Sequence, residues 1–130
     1  MRWHKIKITT EDRLWSEYIR KRDRGICQFC RKVFGWKKLS NCHFKSRGRQ
    51  STRYDPENCD SECAKCHDYM DSHKEEYARW KEEQLGTQRY ARLVLRSNTT
   101  VHRFGDFWKK VFREDVRGMI KVLDEKRDYV

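Results

Sequence analysis

The stretch CQFCRKVFGWKKLSNCHFKSRGRQSTRYDPENCDSECAKCHDYMDSH, residues 27–73, sets two Cys-x-x-Cys pairs around one histidine, His43, and follows the second pair with His67 and His73. Cys27, Cys30, Cys63 and Cys66 form a set suited to tetrahedral Zn²⁺, and a site closed by four sulfurs leaves no coordination position for substrate. Such a metal organises the chain without taking part in chemistry. Chemistry then falls to the side chains it positions, His43 inside the loop and His67 directly after the second pair.

Working outward, charge is the next signal. Residues 20–53 hold twelve Arg or Lys and one acid, Asp23, whereas the rest of the chain is balanced, so the whole net charge of +11 sits around the first cysteine pair and His43. A basic block beside a metal-organised site reads as a phosphate-binding surface and points to nucleic acid as partner. A solvated, solubility-promoting face is the plainer alternative for a charge run. No apolar run is long enough to cross a bilayer, and MRWHKIKITT lacks the apolar segment of a signal peptide. A cytoplasmic protein without membrane contact is expected. There thiols stay reduced, and paired Cys-x-x-Cys spacings mean metal more readily than disulfide.

With 130 residues, 36% of them hydrophobic and 39% charged, the chain is expected to form a single domain with a small core helped by the metal and by seventeen aromatic residues. Residues 1–8 alternate weakly and suggest a short strand or ordered tail. Thr9 or Thr10 followed by Glu11 and Asp12 starts a helix that Leu14, Trp15, Tyr18 and Ile19 carry to about Arg22, with Gly25 as its stop. Val33 to Leu39 suggest a β-hairpin turning at Gly35 and ending near His43. Residues 45–57 form a polar loop, and a helix opening at Asp60 or Ser61 runs through Cys63, Cys66, His67 and Met70 to Leu85. A short helix around Tyr90 and a final helix capped by Asp106 follow. The expected layout is α+β, with an N-terminal helix over 9–24, a zinc-organised core over 25–73 and a helical C-terminal arm over 74–130.

A hydrolytic phosphodiester site needs a base for water and a divalent ion for the phosphate and leaving oxygen. His43 on a strand facing His67 and Asp71, one helical turn apart, supplies those parts. The order Cys-x-x-Cys, NCHF, DPEN, Cys-x-x-Cys-His resembles the HNH (His-Me finger) endonucleases. CHFKSRGRQSTRYDPENCDSECAKC followed by EEYARWKEEQLG is similar to the phage NinG/Rap recombination endonucleases, with a layout also similar to the endonuclease VII type. The resemblance implies a zinc-braced ββα-metal core with flanking helices. It makes His43 the general base, Asn58 the residue that fixes the loop and orients His43, and His67 a ligand of catalytic Mg²⁺ or Mn²⁺, beside structural Zn²⁺ on the four cysteines. Lys37, Lys38, Lys45, Arg47, Arg49 and Arg53 would grip DNA phosphates.

The chain departs from the family at Asn41 and Cys42, where many members place an acid or histidine as a further metal ligand. Asn41 or Cys42 could ligate weakly, or Asp71 or His73 could substitute; Asp55 could be an accessory ligand, though a loop-turn acid before Pro56 is the plainer reading. Cys42 and Cys59 otherwise read as buried thiols. The resemblance implies a metal-dependent endonuclease in the cytoplasm of a bacterial host, cutting branched or four-way-junction recombination intermediates. A two-fold dimer, using Trp108, Phe112 and Ile120, would suit paired cuts, and the same apolar face could equally be core of the monomer. Two alternatives remain at this point: a sequence-specific or nicking HNH enzyme on duplex DNA, and a non-catalytic zinc-organised nucleic-acid-binding module.

Overall fold

The computed structural model describes residues 7–101 and 104–130. The strand or tail expected over residues 1–8 lies almost wholly outside the described residues. Helix α1, Thr10–Arg22, opens as expected: Thr9 Oγ1 accepts from the Asp12 amide at 3.1 Å, and Asp12 Oδ2 accepts from the Thr9 amide at 2.9 Å. The chain leaves α1 through Gly25 at φ +74°, where a β-carbon would stand 2.3 Å from the Val130 carbonyl oxygen.

The hairpin expected within residues 33–43 does not form. Val33 only bridges Ile26, the Phe34 and Gly35 amides both donate to the Gly25 carbonyl, and residues 36–38 make a single 3-10 turn. Strand β1, Ser40–His43, instead pairs antiparallel with β2, Cys59–Glu62, from beyond the polar loop, in the register Ser40 with Glu62 and His43 with Cys59. Asp60 and Ser61 therefore belong to a strand rather than to a helix start, and Cys63 is the N-cap of α2, Ala64–Ser72. The expected long helix breaks at His73, whose φ of −128° and ψ of 63° are not helical, before α3, Lys74–Leu85. After Gly86 at φ +83°, α4 spans Thr87–Ser97. The last helix, α5, Asp106–Lys126, is capped by Gly105, with Asp106 in its first turn.

Five helices and one two-stranded sheet, among the described residues, make an α+β fold. The core joins its two ends: Trp15 and Ile19 of α1 pack with Val116 and Ile120 of α5 and with Cys59 of β2, flanked by Phe112 and Tyr54. Phe112 and Ile120, which the sequence leaves open between dimer surface and monomer core, pack in this core. A second cluster of Cys27, Leu39, Cys63 and Cys66 lies at the other end of the sheet. No helix among the described residues is long and apolar enough to cross a membrane.

Candidate functional site

The sequence around Cys27 folds into a tight knuckle because the Cys27 amide donates to the Lys32 carbonyl at 3.0 Å, the Arg31 amide donates to the Cys27 carbonyl at 2.9 Å, and Arg31 takes a left-handed φ of +65°. Cys63 and Cys66 come from the first turn of α2. The four sulfurs lie within 4.8 Å of one another. A tetrahedral Zn²⁺ with bonds of about 2.3 Å holds its sulfurs about 3.8 Å apart, so the set fits such an ion. Burial, then hydrogen bonding with the thiols of Cys63, Cys27 and Cys30, pushes the Cys66 thiol well above its ordinary range. The group can hold a structural metal such as zinc.

His43 ends β1. Its Nε2 lies 2.9 Å from the Arg53 carbonyl oxygen, which can only accept, so this nitrogen carries the proton and Nδ1 is left as an acceptor. Burial lowers the proton affinity of the ring; the Arg53 carbonyl opposes this and the charge of Arg47 adds to it, with a net downward shift. The imidazole is therefore neutral at neutral pH. It lines a cleft of about 300 Å³ together with Asn41, Arg47, and Arg13 and Arg20 of α1. A neutral base among arginines is suited to an anion that needs water activated beside it.

Asn58, 0% exposed, holds the loop that carries the Arg53 carbonyl. Its Nδ2 donates to the carbonyls of Lys45 and Thr52, both at 3.0 Å, and its Oδ1 accepts from the Lys45 amide at 2.7 Å. The side chain thus bridges Lys45, after β1, to Thr52 further along the loop.

Strand pleating separates the remaining residues. Cys59, opposite His43, accepts from Trp15 Nε1 at 3.4 Å, so His43 and Cys59 face α1. Asp60, which meets Lys81 of α3, shares the other face with Cys42 and Glu62. His43 consequently does not face His67 and Asp71 across the sheet, as expected from sequence; it stands at the strand end on the α1 side. His67 Nε2 and Asp71 Oδ2 are 3.3 Å apart on the open flank of α2. His73 is drawn away from them: its Nδ1 meets the Tyr69 carbonyl at 2.7 Å, and its ring stacks on that of Tyr69 at 3.9 Å. Cys42 and Cys59 are buried thiols outside the four-sulfur group. Burial is the main cause that pushes both upward, Cys59 to about 12. Among the described residues, only the four zinc-type cysteines bring three or more ligand atoms within 4.8 Å.

The basic residues divide similarly. Arg53 does not reach for phosphate: it is 7% exposed and forked onto Asp12, with Nε and Nη2 at 2.9 and 2.6 Å from the two carboxylate oxygens. Burial raises the Asp12 carboxyl, but Arg53, the Thr9 amide and Tyr54 outweigh it and hold the group at about 2. Arg49 donates to the Ser97 carbonyl and to Asn98 Oδ1, tying the loop to α4. Lys37 and Lys38 are exposed, and Lys45 lies over the Phe44 ring. Arg47 remains at the His43 cleft. The cleft also takes Arg20, the first residue of the basic block, whose Nε and Nη1 already donate to Ser16 and to the Trp36 carbonyl, and Arg13, which lies outside that block; their spacing of seven, which sets both on one helix face, was the available signal. Glu62 gave no signal at all. Its carboxyl is pushed up to about 7, first by burial and then by Asp60.

Comparison with family models, with characterised proteins and with solved structures gives no match. The functional argument stands on the residues themselves.

Proposed function

We propose that this chain is a metal-dependent DNA endonuclease of the HNH type, in which β1, β2 and α2 form the ββα-metal core and the four cysteines hold structural Zn²⁺. The observation that carries this reading is the bond from His43 Nε2 to the Arg53 carbonyl, in a cleft shared with Arg13, Arg20 and Arg47. It leaves Nδ1 as a neutral proton acceptor beside charges suited to a phosphodiester. Nδ1 takes a proton from water, and the arginines hold the anionic phosphate against it. Asn58 keeps the loop, and with it the ring, in place. His67 and Asp71 would hold Mg²⁺ or Mn²⁺; the pair is 38% and 56% exposed in its side chains, and such an ion needs few protein ligands because it retains waters. When bound, that ion would supply positive charge for a phosphate on the α2 side of the sheet, opposite the face that His43 shares with α1.

The substrate follows from the resemblance to junction-processing phage nucleases: branched DNA, with four-way junctions first. Paired cuts suit a homodimer, for which Phe107, Val111 and Val122, at 81%, 39% and 49% exposure, offer apolar surface that the core leaves uncovered. Sedimentation over a dilution series, with and without DNA, tests it; monomer throughout removes the dimer.

The deciding experiment uses end-labelled four-way junction and matched duplex with Mg²⁺, Mn²⁺ or EDTA, and the His43→Ala protein. Metal-dependent cutting of the junction, lost in His43→Ala while binding survives, is the expected result. Because protonation of Nδ1 removes the base, activity rises with pH through a midpoint below the ordinary histidine value of 6.5. Equal cutting of the duplex discards branch selectivity. Binding without cutting under either ion overturns the nuclease in favour of a binding module.

A further inference from the structure

The cysteine knuckle carries aromatic surface that neither core cluster covers. Phe29, Phe34 and Tyr69 wall an apolar groove of about 700 Å³ beside the cysteines, and Lys32, Lys65 and Glu76 supply its charges. Phe34 and Tyr69 are 37% and 39% exposed, yet both are held in place. The Phe34 amide donates to the Gly25 carbonyl at 3.0 Å, which fixes the tip of the knuckle. Tyr69 donates its hydroxyl to Glu76 Oε2, and its ring lies nearly parallel to His73 at 3.9 Å and to Phe29 at 6.1 Å. Exposed rings that are already ordered lose little freedom when a ligand covers them. The one acid of the groove is thus turned to Tyr69, while Arg31, Lys32, Lys37 and Lys38 of the knuckle and Lys65 of α2 are exposed. Four thiolates on Zn²⁺ carry a net charge of about −2, which these cations outnumber. Flat apolar walls among cations match a nucleobase joined to its phosphates better than the apolar face of a peptide helix.

We propose that this groove holds an unpaired base of a single-stranded DNA segment, stacked against Tyr69 and Phe34, with Lys32 and Lys65 on the neighbouring phosphates. The site rests on the proposed function only in taking DNA as the partner; it needs no catalysis. It lies at the Cys63 end of the sheet and His43 at the Cys59 end, roughly 10 Å apart along strands that rise about 3.3 Å per residue. A base free to leave its stack occurs at branch points and in single strands, not in ordinary duplex. The groove therefore supplies a preference that the arginines of the His43 cleft, suited to any phosphate, do not.

The test is fluorescence anisotropy of a short labelled single strand and of its duplex, titrated with zinc-loaded protein in the absence of Mg²⁺ and Mn²⁺. Tyr69→Ala and Phe34→Ala are each expected to weaken single-strand binding about tenfold and to leave the duplex unchanged. Tyr69→Phe, which keeps the ring, retains the affinity, and so does Leu95→Ala, a change at an exposed apolar residue of α4. Lys32→Gln with Lys65→Gln lowers the log–log salt slope by roughly 1.4, as for two phosphates. Wild-type single-strand affinity in both aromatic variants overturns the proposal, as does an equal loss on the duplex. Sedimentation in which Tyr69→Ala dissociates a dimer makes the groove a contact between copies and also overturns it. Protein that cuts junctions yet binds the single strand no better than duplex removes the groove and leaves the nuclease. Single-strand binding through Tyr69 without cutting under either ion keeps the groove and removes the nuclease. Should Tyr69→Ala release its zinc, the wild-type ring resonances decide: those of Phe34 and Tyr69 shift when the strand is added, whereas shifts confined to His43 remove the site.

Discussion

Replacing Asn58 by Ala removes three hydrogen bonds of 2.7, 3.0 and 3.0 Å at a position with no solvent contact. Each is worth about 1 kcal/mol net, and a buried carbonyl left without a donor costs about 1–3 kcal/mol, so the expected loss is roughly 3–5 kcal/mol. Thr52, whose carbonyl is one of those stranded, is itself 0% exposed, which favours the upper part of that range. Asn58→Asp should be no milder: it retains the acceptor for the Lys45 amide but turns a second oxygen toward two carbonyls. In urea, with a slope of about 1–3 kcal/mol/M for a small protein, the midpoint falls by roughly 2 M. The same change frees the segment that presents the Arg53 carbonyl, a bond that supports the proton affinity of the His43 ring, so the ring, followed by NMR titration, moves further below the ordinary histidine value while it stays buried. A midpoint shift under about 0.5 M with unchanged slope would refute the idea that this side chain holds the loop.

Removing the metal is expected to unfold the core rather than to loosen it. Chelation, or Cys66→Ser, should abolish the near-ultraviolet signal of the packed aromatics, and one Zn²⁺ per chain should restore it after chelation; a chelated protein with native spectra would remove the structural role of the site. The Asp12 carboxyl titrates at about 2 in the folded chain against an ordinary 3.8, so its contribution, roughly 2 kcal/mol, is complete above pH 4 and lost as pH falls toward 2. Asp12→Asn should flatten that part of the acid-denaturation curve, and an unchanged curve would show that the pair with Arg53 contributes nothing.

The elements visible in the sequence are those whose signals are local. Thr9 and Asp12 cap α1 within four residues, Trp15 and Ile19 repeat at helical spacing, and two Cys-x-x-Cys pairs announce one metal. Strand β2 was hidden because Cys-Asp-Ser-Glu has neither apolar alternation nor strand propensity; its burial depends on Lys81 and Gln84, more than twenty residues away. Arg53 looks like its neighbours in a basic loop until Asp12, forty-one residues earlier, is seen beneath it. The pleat that turns His43 toward α1 depends on a register set by that same polar strand.

Because one cysteine pair lies before β1 and the other directly after β2, a metal at the four sulfurs closes a ring that contains both strands and the polar loop between them. A protease cut in that loop, around residues 46–49, would not release either half. Each fragment keeps two thiolates on the shared ion, and α1 in one still packs on α5 in the other. The nicked chain is in effect a two-part protein whose assembly is governed by zinc. Expressed as separate pieces divided in the loop, residues 1–47 and 48–130 should find each other when the ion is supplied and part when it is withdrawn.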